Sequence, residues 1–173
     1  MKKKHIVLIL STLFIIVLAV FFIDLPTATV GEPVEFDFDV IDTDIVIKLN
    51  KKAINNKSAS FMVLNNKKFE IATILRKGYK NFELFKEKDG KWHNVNEISS
   101  SDGNGASAIV IFPIGEQTSF SIDFESILGI LPKGKYLLIK SFYESGQDLA
   151  NRHEYVACCE LKFNKTPLDK PKL

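Results

Sequence analysis

Catalysis or metal binding would need histidine, cysteine and carboxylate side chains to converge, and this chain spaces them poorly for that. Its histidines are His5, His93 and His153, with no HxH or HExxH spacing to set two imidazoles on one face. The thiols are Cys158 and Cys159, without the second C-x-x-C pair of a zinc site. A centre built from Cys158, Cys159 and His153 is strained, because neighbouring strand residues point to opposite faces. Glu32, Glu35, Asp37, Asp39, Asp42 and Asp44 form a dense acidic stretch, and calcium or paired-acid chemistry would require several of them to meet. Alternation instead sends Glu35, Asp37 and Asp39 to one outer face, which reads as a solvated acidic surface. There is no G-x-S-x-G elbow, and Gly103-Asn104-Gly105 precedes no helical period that could offer an N-terminus to an anion. The expectation is a chain with no catalytic residues, no metal and no cofactor.

Two segments must position whatever remains. Of 173 residues, the first five hold Lys2, Lys3 and Lys4, residues 6–23 carry no charge, and Asp24 ends the run. At about 1.5 Å per residue, 18 helical residues reach about 27 Å, close to a bilayer's hydrocarbon thickness. Residues 1–23 are expected to be a signal anchor, or a signal peptide if cut. The lysines favour a cytoplasmic N-terminus and an exported remainder. Without those three lysines, 20 basic residues face 21 acidic ones, which argues against a nucleic-acid partner.

After Asp24 the hydrophobic period is two. Val34, Phe36, Phe38 and Val40 alternate with acids, and Ile45, Ile47 and Leu49 continue the beat. Further β-rich runs fall at 59–64, 69–75, 82–86, 108–112, 119–124, 136–143 and 153–163, separated by glycine- and asparagine-bearing turns. Only 126–131 has room for a helical turn. This is an all-β pattern: a Greek-key sandwich over 44–164, preceded by a linker with a possible extra strand at 24–43 and followed by a disordered tail at 165–173.

Asp89-Gly90 is a favoured type I′ pair and predicts a hairpin. With a two-residue turn, Glu87 opposes Trp92 and Leu84 opposes Val95. Phe82, Leu84, His93 and Val95 then share one face, and Phe85, Glu87 and Trp92 the other. Phe85 and Trp92 would be an exposed aromatic pair, unless a longer loop folds Trp92 over the sandwich edge. Leu131, Pro132, Gly134 and Tyr136 have the pattern of a tyrosine corner, in which the hydroxyl bonds back to upstream backbone. Leu138 stands where an antibody domain has its cysteine, so packing must close the sandwich. Inward alternation of Tyr155, Ala157, Cys159, Leu161 and Phe163 leaves Cys158 facing the other way, either as an incidental thiol or as one exposed enough to bridge two chains.

Ser60-Phe61-Met62-Val63-Leu64-Asn65-Asn66, Phe82 to Lys86 with Lys88-Asp89-Gly90-Lys91-Trp92, Phe112-Pro113-Ile114-Gly115-Glu116, and Gly129 through Lys140 together resemble the bacterial immunoglobulin-like domain. The likeness is to the version with a D-G-K-W hairpin and an L-x-P-G-x-Y strand, found in exported or membrane-tethered proteins of Gram-positive bacteria. It covers about 44–163. It implies an immunoglobulin-like sandwich outside the cell, serving as an adhesive, spacer or recognition module. The expected function is a non-enzymatic interaction module at the cell surface, tethered through its N-terminal helix and meeting a protein or glycan. Phe85, Trp92, Asp102 and Asn104 are the candidate contacts. The alternative is an exported inhibitor or regulatory subunit that inserts an edge strand or the loop 97–107 into an enzyme.

Overall fold

The computed structural model describes residues 26–76, 82–98, 107–147 and 152–164. The expected membrane or signal helix at 1–23, the tail at 165–173, and Asp102 and Asn104 lie outside them. No helix among the described residues is long and apolar enough to cross a membrane.

Among the described residues ten strands form two antiparallel sheets: β1 (Val30–Val34), β2 (Ile45–Ile54), β3 (Ser58–Asn65), β4 (Ile71–Arg76), β5 (Glu83–Lys88), β6 (Lys91–Val95), β7 (Ser107–Phe112), β8 (Gln117–Asp123), β9 (Gly134–Glu144) and β10 (Glu154–Phe163). The smaller sheet runs β2-β3-β8. The larger runs β1-β6-β5-β9-β4-β7, with β10 on the other edge of β9. The chain changes sheet between β1 and β2, between β3 and β4, between β7 and β8, and again before β9, where the short helix α1 (Phe124–Leu128) makes the crossing.

Alternation explains why these segments close on one another. In β3, Ala59, Phe61 and Val63 point inward, and β8 answers with Phe120 and Ile122, so Phe61 stacks on Phe120 at 5.2 Å. From the larger sheet, Leu84, Phe112, Tyr136, Leu138, Phe142 and Leu161 fill the same interior. Burying such side chains is worth about 1.5–3 kcal/mol each, and no cysteine bridge joins the sheets, since both cysteines are free.

Asn65 shows how a polar group enters this core without being orphaned. Its amide nitrogen donates to the carbonyls of Phe69 and Phe112 at 2.9 Å each, and its side-chain oxygen accepts from the Lys67 amide at 2.9 Å. One side chain thus ties the end of β3 to the start of β4 and the end of β7. With both amide protons and the oxygen engaged, complete burial carries little penalty.

One expected strand is corrected. The alternating run 34–40 is not extended throughout. The extra strand lies earlier, at Val30–Val34, and Phe38–Val40 forms a 3₁₀ turn. The Asp37 carboxylate accepts from the Asp39 amide at 2.9 Å, and that of Asp42 from the Asp44 amide at 2.9 Å. Such local bonds offer the backbone an alternative to a ladder. Glu35, Asp37 and Asp39 are exposed, whereas the later acids Asp42 and Asp44 lie 2.6 Å and 3.4 Å from Lys67.

Candidate functional site

The hairpin turn has two residues, with Asp89 at φ 54° and Gly90 at φ 73°, the left-handed pair a type I′ turn demands. Glu87 opposes Trp92 and Phe85 opposes Asn94. Leu84 and Val95 face the core, and Phe85 and Trp92 face the other way. That second face is not bare. Phe85 is only 5% exposed, because Leu137 and Ile139 flank it and Phe36 covers it, their rings 6.1 Å apart. The expected exposed aromatic pair is therefore corrected: Phe85 is interior to a second small apolar cluster. Trp92 is half-buried beneath the Lys135 ammonium, 5.3 Å from its ring. Lys135 also pairs with Glu160 at 3.1 Å and Glu87 at 3.3 Å, and hydrogen bonding to those carboxylates, Glu160 first, raises its pKa.

The expectation of an exposed Cys158 thiol needs the same correction. It points away from the core, but onto this cluster, and is half-buried there. Burial and then the Glu160 charge push its pKa up, so it holds its proton and is a poor nucleophile. Cys159 faces the core, and burial pushes its thiol up to about 11.

The Tyr136 hydroxyl donates to the Pro132 carbonyl at 2.6 Å. Asn56 holds Leu131 from the other side: its amide nitrogen donates to the Leu131 carbonyl at 2.6 Å, and the Leu131 amide donates to the Asn56 carbonyl at 2.9 Å. The residues Leu131, Pro132, Gly134 and Tyr136 thus make a backbone-to-ring clasp where the chain enters β9. Burial raises the Tyr136 hydroxyl far above its ordinary pKa. Tyr136→Phe keeps the ring and strands a carbonyl, so it should lower unfolding free energy by about 1–2 kcal/mol. An unchanged urea midpoint would show that the bond contributes nothing.

The outer face of the larger sheet, away from β2-β3-β8, is where the structure departs most from a solvated surface. Phe36 packs edge-on against Phe38 at 4.9 Å, and Phe38 and Val40 remain 51% and 55% exposed. Beside them, β9 pairs with β5 up to Ile139 and with β4 only from Tyr143, so the two ladders part along one edge. A cleft of about 480 Å³ lies there, within the size range of small-ligand sites. Val40, Ile74, Ile139 and Val156 line its apolar part, Glu83, Arg152 and Glu154 supply charge, and Lys140 and Phe142 line it from the core side. The Thr73 hydroxyl donates to the Ser141 carbonyl at 2.9 Å, satisfying backbone that the parted ladder leaves open.

Two groups at this cleft are chemically unusual. Lys140 is 1% exposed, and burial lowers its ammonium to about 8. The Tyr143 hydroxyl is buried without a hydrogen-bond partner, while the Arg152 guanidinium sits 4.7 Å from the centre of its ring. Neither residue was singled out in the sequence, although Lys140 had a usable signal: it is a lysine on the inward beat of the apolar run 136–142. Phe38 and Val40 had a weaker one, the Asp37 that caps their turn. The histidines stay apart: His93 Nδ1 hydrogen-bonds the Gly31 carbonyl at 3.0 Å, and His153 packs edge-on to Tyr155 at 4.7 Å. Among the described residues no three His, Cys, Asp or Glu side chains gather as metal ligands. A family model described as a bacterial Ig-like domain matches residues 42–156. No curated protein matches the chain.

Proposed function

The chain belongs to the bacterial Ig-like domain family, and from that premise we propose that it is a non-enzymatic interaction or adhesion module. Residues 1–23 hold it at the membrane, or are removed on secretion, and the sandwich stands outside the cell. The lysines before an uncharged run of spanning length support that orientation. It meets a protein or glycan through the outer face of the larger sheet.

One observation carries this reading: Phe38 and Val40 stand exposed side by side on one turn, with Val40 in the wall of the cleft. A monomer gains nothing by holding an aromatic ring and a branched side chain in water on a short capped turn, whereas a partner that buries them gains apolar contact. Cells bearing the wild-type chain and cells bearing Phe38→Ser/Val40→Ser should differ by about 10- to 100-fold in affinity for the captured envelope partner. Both positions are exposed, so the fold should survive. Equal capture would move the contact away from this face, and resistance of the sandwich to protease added to intact cells would sink its external placement.

A further inference from the structure

On β9, Leu137, Ile139 and Tyr143 share one parity, which puts the tyrosine on the outer face beside the cleft it lines. Only 7% of it is exposed, and its hydroxyl, a group that both donates and accepts, is enclosed without a partner. Buried hydroxyls are ordinarily hydrogen-bonded, so this one points to a ligand that supplies the missing bond. Arg152 is an exposed side chain with its guanidinium 4.7 Å from the centre of the same ring. It can turn toward a ligand without moving backbone.

The chemistry of the walls narrows that ligand. Glu83 and Glu154 balance Lys140 and Arg152 around the cleft, so an anion or a cation would meet two like charges there. A wholly apolar ligand would draw these groups out of water without pairing them. A peptide adding as a strand needs the β9 edge between the parted ladders, but the Thr73 hydroxyl already holds the Ser141 carbonyl at 2.9 Å. What fits is an uncharged molecule rich in groups that donate and accept, with an apolar face for Phe36 and Val40. A sugar has both. Its hydroxyls surround a ring whose C–H bonds suit the negative face of an aromatic side chain. At about 480 Å³ the cleft lies within the range of ligand cavities and has room for a di- or trisaccharide.

We propose that the cleft binds the end of an uncharged glycan, with Tyr143 and Arg152 donating to its hydroxyls, Glu154 accepting from them, and Phe36 against the C–H face of a ring. This rests on the outer-face reading above and narrows its partner to a sugar.

The probes are neutral di- and trisaccharides of glucose, galactose, mannose and N-acetylglucosamine. They are offered to the full-length chain in a detergent without a sugar headgroup, and binding is followed by saturation-transfer NMR and calorimetry. At least one should bind, and Tyr143→Phe and Arg152→Ala should each weaken it by about 10-fold or more. Tyr143→Phe should also keep or raise the urea midpoint, because it removes a hydroxyl that has no partner in the free protein. No binding by any of these sugars, undiminished binding in Tyr143→Phe, or a lowered midpoint in that variant would overturn the proposal. Tighter binding of a free amino acid or of an acidic sugar would overturn it as well. The two readings fail separately. If Phe38→Ser/Val40→Ser loses the captured envelope partner while the wild type binds no sugar, the outer face stands and the glycan falls. If a sugar binds and that variant captures its partner as well as the wild type does, the turn falls and the cleft stands.

Discussion

Gly129→Ala should destabilise the sandwich by about 2–4 kcal/mol, far more than the same change at Gly90. Gly129 follows α1 with φ 83° and ψ −173°, a region open essentially to glycine alone, at a strain of about 1–3 kcal/mol for other residues. Space is closed as well. A Cβ there would stand 2.5 Å from the Pro26 carbonyl oxygen and 3.2 Å from the Ala28 nitrogen. The obstacle is backbone that is itself bonded: the Ile130 amide donates to Pro26 at 2.8 Å and the Ala28 amide to Ile130 at 3.0 Å. Alanine must either rotate the turn into Leu131 or push residues 26–28 off, losing bonds worth about 1 kcal/mol each. Gly90 also has positive φ, but nothing lies within 4 Å of its added Cβ, so its cost should stay near 1 kcal/mol. Chemical unfolding of both variants separates strain from collision. Equal losses would mean that the segment leaving the N-terminal run is not docked on Ile130 in solution.

That docking was not legible in the sequence, and the contrast with what was legible has a physical basis. Asp89-Gly90 and the Tyr136 clasp are local: a turn type follows from two residues, and the tyrosine bonds to a carbonyl only four positions back. The parity of β3 and β10 was legible because burial repeats every second residue, and it sorted Cys159 inward and Cys158 outward. Parity says which face a side chain takes, however, and not what covers that face. Phe85 and Cys158 take the outer side, as parity requires, but not open solvent: both belong to the cluster on Leu137 and Ile139, which Phe36 joins from a distant segment. The 34–40 run failed for another reason. Its alternation is real, but the Asp37 carboxylate competes for the backbone amide that a ladder would use. The cleft needed the parting of β4 from β5 along β9, a tertiary event without a local signal.

Lys140→Met should raise stability by about 1–3 kcal/mol at pH 7, and the advantage should shrink as pH rises to 9. Burial lowers the folded-state value of Lys140 to about 8 from 10.5. Below about 8 both the folded and unfolded states hold the proton, and the folded state bears the cost of enclosing the charge less what the contacts of the ammonium return. Between 8 and 10.5 the folded state has released it while the unfolded state retains it, so wild-type stability climbs through that window. Cys159, raised from 9.0 to about 11, acts with the opposite sign: above pH 9 the unfolded thiol ionises first and stability falls. The comparison therefore belongs between pH 7 and 9, where thermal or urea unfolding should show a rise of about 1 kcal/mol in wild type and a flat profile in Lys140→Met. A methionine variant less stable than wild type at pH 7 would mean that the contacts of the ammonium outweigh its desolvation. If the variant is more stable yet loses the partner retained through Phe38 and Val40, then a lysine costly to the fold is kept for what the cleft binds. Local rules are most often broken where function requires it.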